Sequence, residues 1–162
     1  MDISDPTIIA LRAKVIAARE EFDLAVTFHE AWKPAAYDGQ LHTRMGPSYA
    51  SNTFLTIRQA LRREMLLALM RLWDNDKRLV SMISIYNILN DKRVIDALTA
   101  DRVARLGLPE SYSMMSQDLN QLASDAGTLI KKYDKGGTHE GVLEKLRLLR
   151  HERLAHRNIS RS

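Results

Sequence analysis

The sequence predicts an all-α fold, an up-and-down helical bundle of about five to six helices. Three observations lead there. Ala, Leu, Arg, Lys, Glu and Met are plentiful, while only 7 Gly and 4 Pro interrupt 162 residues, a balance that favours helices over a sandwich or barrel. Apolar residues recur at three- and four-residue intervals along most of the chain. Capping residues and helix-ending glycines stand where those patterns start and stop. With 45% hydrophobic residues the chain can bury a real core, and its length suits one domain over residues 1–162.

Asp5 and Pro6 open the first helix, a capping carboxylate ahead of proline at the first helical position. Ile9, Ala13, Ile16, Leu24 and Phe28 recur on one side of it, and the helix is expected to end before Pro34. From Pro34 to Ser48 no period holds. Gly39, Gly46 and Pro47 mark this stretch as irregular, and with Tyr37 and His42 it is a candidate cover for a cleft. Ser48 or Ser51 caps a second helix that runs to Leu72 or Trp73. Its Leu55, Ala60, Leu61, Met65, Leu69 and Leu72 make it the expected central core helix. Asp74, Asn75, Asp76 and Lys77 break that helix, and Met82, Ile83, Ile85, Tyr86, Ile88 and Leu89 form a short third one. Asp91 caps a fourth, which Gly107 and Pro109 close, and a fifth spans about Ser111 to Tyr133. Lys135, Gly136 and Gly137 then turn the chain into the last helix.

The 24 basic and 20 acidic residues leave a formal charge of +4, with a pI near 9.5. This mild excess is compatible with a polyanionic partner but does not single one out. The absence of cysteine excludes disulfides, a thiolate zinc site and a thiol nucleophile, and it fits a reducing compartment. No cationic, apolar leader opens the chain, and the most apolar run, Met65 to Trp73, is short and broken by Arg71. A soluble cytoplasmic protein with no membrane association is therefore expected.

Several motifs are better explained as scaffold. His151, Glu152 and His156 resemble a zinc-protease signature, yet that motif needs its histidines four apart on one helical face. Here they are five apart, about 140° around the helix. Asp74 and Asp76 alternate like the start of a calcium loop, without the glycine and bidentate glutamate such a loop requires. Lys135 to Thr138 lacks the remaining glycines of a phosphate-binding loop and follows no strand. His29, Trp32 and His42 are most simply a helix-end cation and surface groups.

The stretch from Leu146 to Arg157 is different. At about 100° per residue, Val142, Leu143, Leu146, Leu149 and Leu154 share one broad helical face, expected to be buried. Further along it the positions become Arg150, Arg153, His156 and Arg157, so an apolar stripe turns cationic. Buried charges need partners. That half of the face therefore meets carboxylates such as Glu20, Glu21 or Glu64, solvent in a cleft, or an anionic ligand. An arginine offers a planar fork of donors suited to phosphate oxygens, and a histidine exchanges a proton near neutral pH. Together they suffice for phosphodiester chemistry without a metal. His156 would serve as base or acid at the ribose 2′-hydroxyl or the leaving oxygen, and Arg150 would stabilise charge building on phosphorus. The spacing alone favours the plainer pairing with glutamates.

At these same residues the sequence resembles the HEPN superfamily, whose mark is an arginine, a polar residue, and a histidine after four to six intervening positions on a late helix. Arg150, His151 and His156 fit, with five residues between the arginine and the final histidine. A second region, Ile57 to Leu89, with Arg71-Leu72-Trp73-Asp74 and the run from Ser81 to Leu89, looks like the abortive-infection AbiU-type branch. The resemblance implies a single HEPN-like helical domain that dimerises through the motif helices, so that two copies of Arg150 and His156 face one cleft. It also implies a metal-independent endoribonuclease, often a toxin or antiphage effector held by an antitoxin.

The leading expectation is thus a homodimeric ribonuclease of a toxin-antitoxin or antiphage system that leaves 2′,3′-cyclic phosphate ends. Arg150 and His156 are the catalytic candidates, and His151, Arg153 and Arg157 position the substrate. No cofactor or metal is expected; the expected partners are RNA, a second copy of the chain and a cognate antitoxin. The alternative is a noncatalytic HEPN-like module for dimerisation and protein interaction. A nonenzymatic nucleic-acid binder is a third reading, and it lacks aromatic platforms or a groove-reading motif.

Overall fold

The computed structural model describes residues 6–38, 40–74 and 80–149. In chain order these form α1 (Pro6–Tyr37), α2 (Leu41–Met45), α3 (Tyr49–Leu72), α4 (Met82–Leu89), α5 (Lys92–Leu106), α6 (Tyr112–Tyr133) and α7 (Glu140–Leu149), with a 3-10 turn at Pro109–Ser111. No strand occurs among the described residues, and the fold is all-α. Their seven helices exceed the expected five to six because the segment after Pro34 contributes the short α2.

The chain divides into two units: Met1–Ala18 with Trp73–Glu144, and Arg19–Leu72 with Lys145–Ser162. In the first unit α5 and α6 pack along each other, and α4 packs against both. The short connection through the 3-10 turn sends α6 back antiparallel to α5. Leu98 and Leu119 accordingly line one cavity while Ile95 and Ala123 line another, further from the turn. Ile85, Val94, Ile95, Met115 and Ile130 are buried here, as are Ile8 and Leu11 of α1.

Local chemistry fixes where these helices begin and end. Ser81 Oγ accepts the Ser84 N–H at 3.1 Å, and Ser84 Oγ reaches back to the Ser81 N–H at 3.4 Å. This reciprocal box satisfies donors that the first turn of α4 would otherwise leave bare. The Asp91 carboxylate caps α5 by accepting the Arg93 N–H at 2.9 Å. Gly107 ends α5 in the left-handed conformation, φ 66°, as its position predicts.

In the second unit Ser48, rather than Ser51, caps α3. Its Oγ accepts the Ser51 N–H at 3.1 Å, while Ser51 itself is buried. At the other end of α3, Arg71 Nε lies 2.8 Å from Glu21 Oε2 of α1. The expectation that α3 is the central core helix needs correction. Its fully buried residues are Ser51, Ala68, Met70 and Leu72, so burial concentrates in the last turns while Ala60 and Ile57 are exposed. The apolar residues of its first half are too widely separated by Arg58, Arg62 and Arg63 to make a closed stripe.

Two expectations for α1 also fail. The helix continues through Pro34 to Tyr37. A proline there forfeits one backbone hydrogen bond near the end of the helix, and its own carbonyl still accepts the Asp38 N–H at 3.4 Å. The buried face is Ile8, Leu11, Ala18 and Ala25 rather than Ile9, Ala13, Ile16 and Leu24, all of which are exposed. The helix bears apolar residues on two sides, and the period alone does not choose between them. Asp5, the expected cap, lies outside the described residues.

Candidate functional site

The residues expected to form the site follow α7 in sequence, and the turn before that helix sets the direction of α7. Five backbone or side-chain contacts close the turn. The Gly137 N–H donates to the Asp134 carbonyl at 2.8 Å, the His139 N–H to the Lys132 carbonyl at 2.7 Å, and the Glu140 N–H to the Gly137 carbonyl at 3.1 Å. The Lys135 N–H donates to Asp134 Oδ1 at 2.7 Å and the Gly136 N–H to Glu140 Oε2 at 2.9 Å. Gly136 has φ 84°, a conformation that side chains disfavour. At Gly137 a Cβ would collide with the backbone carbonyls of Lys131 and Lys132. Aromatic contacts brace the same turn: Tyr133 lies 5.2 Å from the His139 ring and 5.3 Å from Trp73, centroid to centroid.

Along α7, Leu143 is buried, Leu146, Arg147 and Leu149 are half-buried, and Leu148 is exposed. Val142, expected on the buried face, is 50% exposed, because a single stripe through Leu143, Leu146 and Leu149 leaves it on the flank. The apolar half of the expected stripe is therefore narrower than the sequence suggests. Leu154 and the whole cationic half, Arg150, His151, Arg153, His156 and Arg157, lie outside the described residues.

Of the glutamates offered as partners for the basic helix end, Glu21 already accepts from Arg71. Arg71, Leu72, Trp73 and Asp74 diverge in role: Arg71 pairs with Glu21, Leu72 is buried, and Trp73 stacks near Tyr133. His29 is half-buried, with Nδ1 3.1 Å from Glu30 Oε1 and its ring 6.2 Å from Trp32. The Glu30 carboxyl is held below its usual value, first by its hydrogen bond from Lys33 and then by His29.

A model of the AbiU2 family matches residues 7–161. The chain belongs to the HEPN-type AbiU2 family. The match spans α1 to α7 and continues through the Arg150 to His156 motif, so the two regions that carry the resemblance lie within a single family match. It makes the chain an abortive-infection HEPN domain. No curated protein and no solved structure matches the chain. Among the described residues, no helix is long and apolar enough to cross a membrane.

A groove of about 440 Å³ lies between α4, α5 and α6, lined by Tyr86, Lys92 and Lys131 among others. Its signal was present as a polar stripe, Asn120, Ser124, Thr128 and Lys131, at helical spacing on α6. Such a stripe ordinarily marks a solvated face, and only the apposition of Tyr86 and Lys92 turns it into a concavity.

Proposed function

We propose that this AbiU2 domain is a metal-independent endoribonuclease of a toxin-antitoxin or abortive-infection system. The observation that carries the reading is the Arg150 to His156 spacing at the end of a family match that covers residues 7–161. Arg150 and His156 are the catalytic pair, and His151, Arg153 and Arg157 contact or position the RNA backbone.

The chemistry asked of these side chains is compact. His156 removes the proton from a ribose 2′-hydroxyl, whose oxygen attacks the adjacent phosphorus. The bond from phosphorus to the 5′-oxygen of the next nucleotide breaks, and that oxygen takes a proton from a protonated histidine. The products are a 2′,3′-cyclic phosphate and a 5′-hydroxyl, with no net oxidation and no water consumed. Arg150 stabilises the charge on the phosphoryl oxygens through its fixed fork of donors. One histidine cannot be base and acid at once, and two chains paired through their last helices supply a second. A homodimer is therefore part of the proposal, as is an antitoxin that holds the site in check.

Purified protein incubated with total RNA and with tRNA tests this reading. Wild type cleaves, and His156→Ala and Arg150→Ala abolish cleavage while remaining folded and dimeric. No cleavage by inhibitor-free wild type on any RNA would turn the reading to a noncatalytic interaction module.

A further inference from the structure

A second cavity, of about 470 Å³, lies within the first unit and gathers three guanidiniums around one carboxylate. Arg12 of α1 and Arg102 and Arg105 of α5 line it, and Asp101 is its sole acid. Oδ2 of Asp101 accepts from Arg12 Nη2 at 2.6 Å and lies 2.9 Å from Arg105 Nη2, so two of the cations meet at a single buried oxygen. Both arginines reach that oxygen through one nitrogen, and both remain exposed, so donors of each fork are left over.

Arg102 has a different position. It follows Asp101 in sequence, is exposed, and has no ion-pair partner among the described residues. Three residues separate it from Arg105, which makes the two neighbours on one surface of α5. The buried aspartate is already shared by two arginines, and the positive charge of this surface is therefore only partly offset.

The rest of the lining is aliphatic. Leu98 and Leu119 are half-buried, and Leu106 is 54% exposed. Leu108, two residues beyond, is also exposed, so apolar surface continues from the cavity onto the connection to α6. A small ligand confined to the cavity would leave that surface in water, whereas a polypeptide covers both. No aromatic ring lines the cavity to stack on a nucleic-acid base. Glu110 is exposed on the same connection, where an anionic bilayer would repel it.

We propose that this cavity docks an acidic, leucine-bearing segment of a partner protein, with an aliphatic side chain against Leu98, Leu106 and Leu119 and carboxylates at Arg102 and Arg105. Each half of such a segment answers a feature of the site. Hydrocarbon fills the leucine walls, and carboxylates accept from guanidinium donors that Asp101 does not use. The site is separate from Arg150 and His156, and this inference stands whether or not those residues cleave RNA.

Fluorescence anisotropy tests it with a labelled, alanine-based helical peptide of about twelve residues, carrying leucines and glutamates at three- and four-residue intervals on one face. One control peptide has glutamine for every glutamate, and another has alanine for every leucine. The first peptide binds wild type about tenfold or more tightly than either control. Arg102→Glu weakens it by about tenfold and Leu106→Ala by about fivefold. Both side chains are exposed and Arg102 has no ion pair to lose, so these variants fold. Lysine in place of the glutamates yields a peptide that binds Arg102→Glu more tightly than it binds wild type. The inference is overturned if the glutamate peptide does not bind at millimolar concentration, if the glutamine peptide binds as tightly, or if both protein changes leave affinity unaltered. It is also overturned if single-stranded RNA, or vesicles of phosphatidylcholine and phosphatidylglycerol, bind more tightly than the peptide and the same two changes weaken that binding.

Discussion

Arg12 Nη2 lies 2.6 Å from Oδ2 of Asp101, tying α1 to α5 across 89 residues of sequence. The carboxylate is only 4% exposed, and the same oxygen is 2.9 Å from Arg105 Nη2, one turn further along α5. Both arginines keep contact with water while the aspartate does not. A buried charge of this kind is tolerable only while it is paired. Removing Arg12 alone leaves Arg105 in place, and Arg12→Ala is expected to cost about 1 kcal/mol. Removing both strands the carboxylate, and the double variant is expected to lose about 3 kcal/mol or more. Urea denaturation measures both, and simple additivity of the two single changes would contradict the shared role.

The face that α1 buries is testable one position at a time. Ile8 is 1% exposed and Ile9 is 57% exposed. Ile8→Ala is expected to destabilise by about 2 to 4 kcal/mol, and Ile9→Ala by less than about 1 kcal/mol. The reverse order would mean that the other apolar stripe of α1 is the packed one.

The turn into α7 rests on two glycines with different reasons to be glycine. At Gly136 alanine meets nothing but must adopt φ 84°, and Gly136→Ala is expected to cost about 1 kcal/mol. At Gly137 a Cβ meets backbone carbonyls that cannot move aside without opening the end of α6. Gly137→Ala is expected to be clearly worse, and to impair RNA cleavage by redirecting α7. Thermal denaturation of the two variants, with the activity assay beside it, distinguishes these effects.

The cap of α5 carries a pH signature. The Asp91 carboxyl is held below its usual value, first by its side-chain hydrogen bonds from Arg93 and then by the Arg93 backbone N–H. A carboxyl depressed on folding contributes stability above its unfolded value, and that contribution is lost as pH falls through the folded one. Arg93→Ala removes the larger cause and keeps the backbone bond. Its expected effect, read by NMR titration of the Asp91 side chain, is a midpoint that moves upward toward the ordinary value. An unchanged midpoint would show that Arg93 does not hold the carboxylate in solution.

Most of the helices were legible because they begin and end on residues whose chemistry acts locally. Asp91, Gly107 and the Gly136-Gly137 turn do in the fold what their positions suggest. What was not legible depended on partners distant in sequence. Ile8 and Ile9 are both apolar, and only the packing of α1 decides which is buried. Pro34 reads as a stop, yet a helix tolerates one missing donor near its end. The groove beside Tyr86 is not legible in the sequence, because its residues come from three helices and no single stretch contains its pattern. The Arg150 to His156 motif was the converse case: local spacing alone favoured a plain ion pair, and only the resemblance carried by a second region raised the chemical reading proposed for it; both regions lie within the family match over residues 7–161.

The central claim is that Arg150 and His156 cleave RNA without a metal, and the chemical ends of the product test it most directly. Wild-type protein in excess EDTA is expected to yield fragments ending in 2′,3′-cyclic phosphate with 5′-hydroxyl partners, and His156→Ala or Arg150→Ala protein of equal fold and dimer content is expected to yield none. Cleavage that EDTA abolishes, fragments ending in 3′-hydroxyl with 5′-phosphate, or equal cleavage by all three proteins would contradict it.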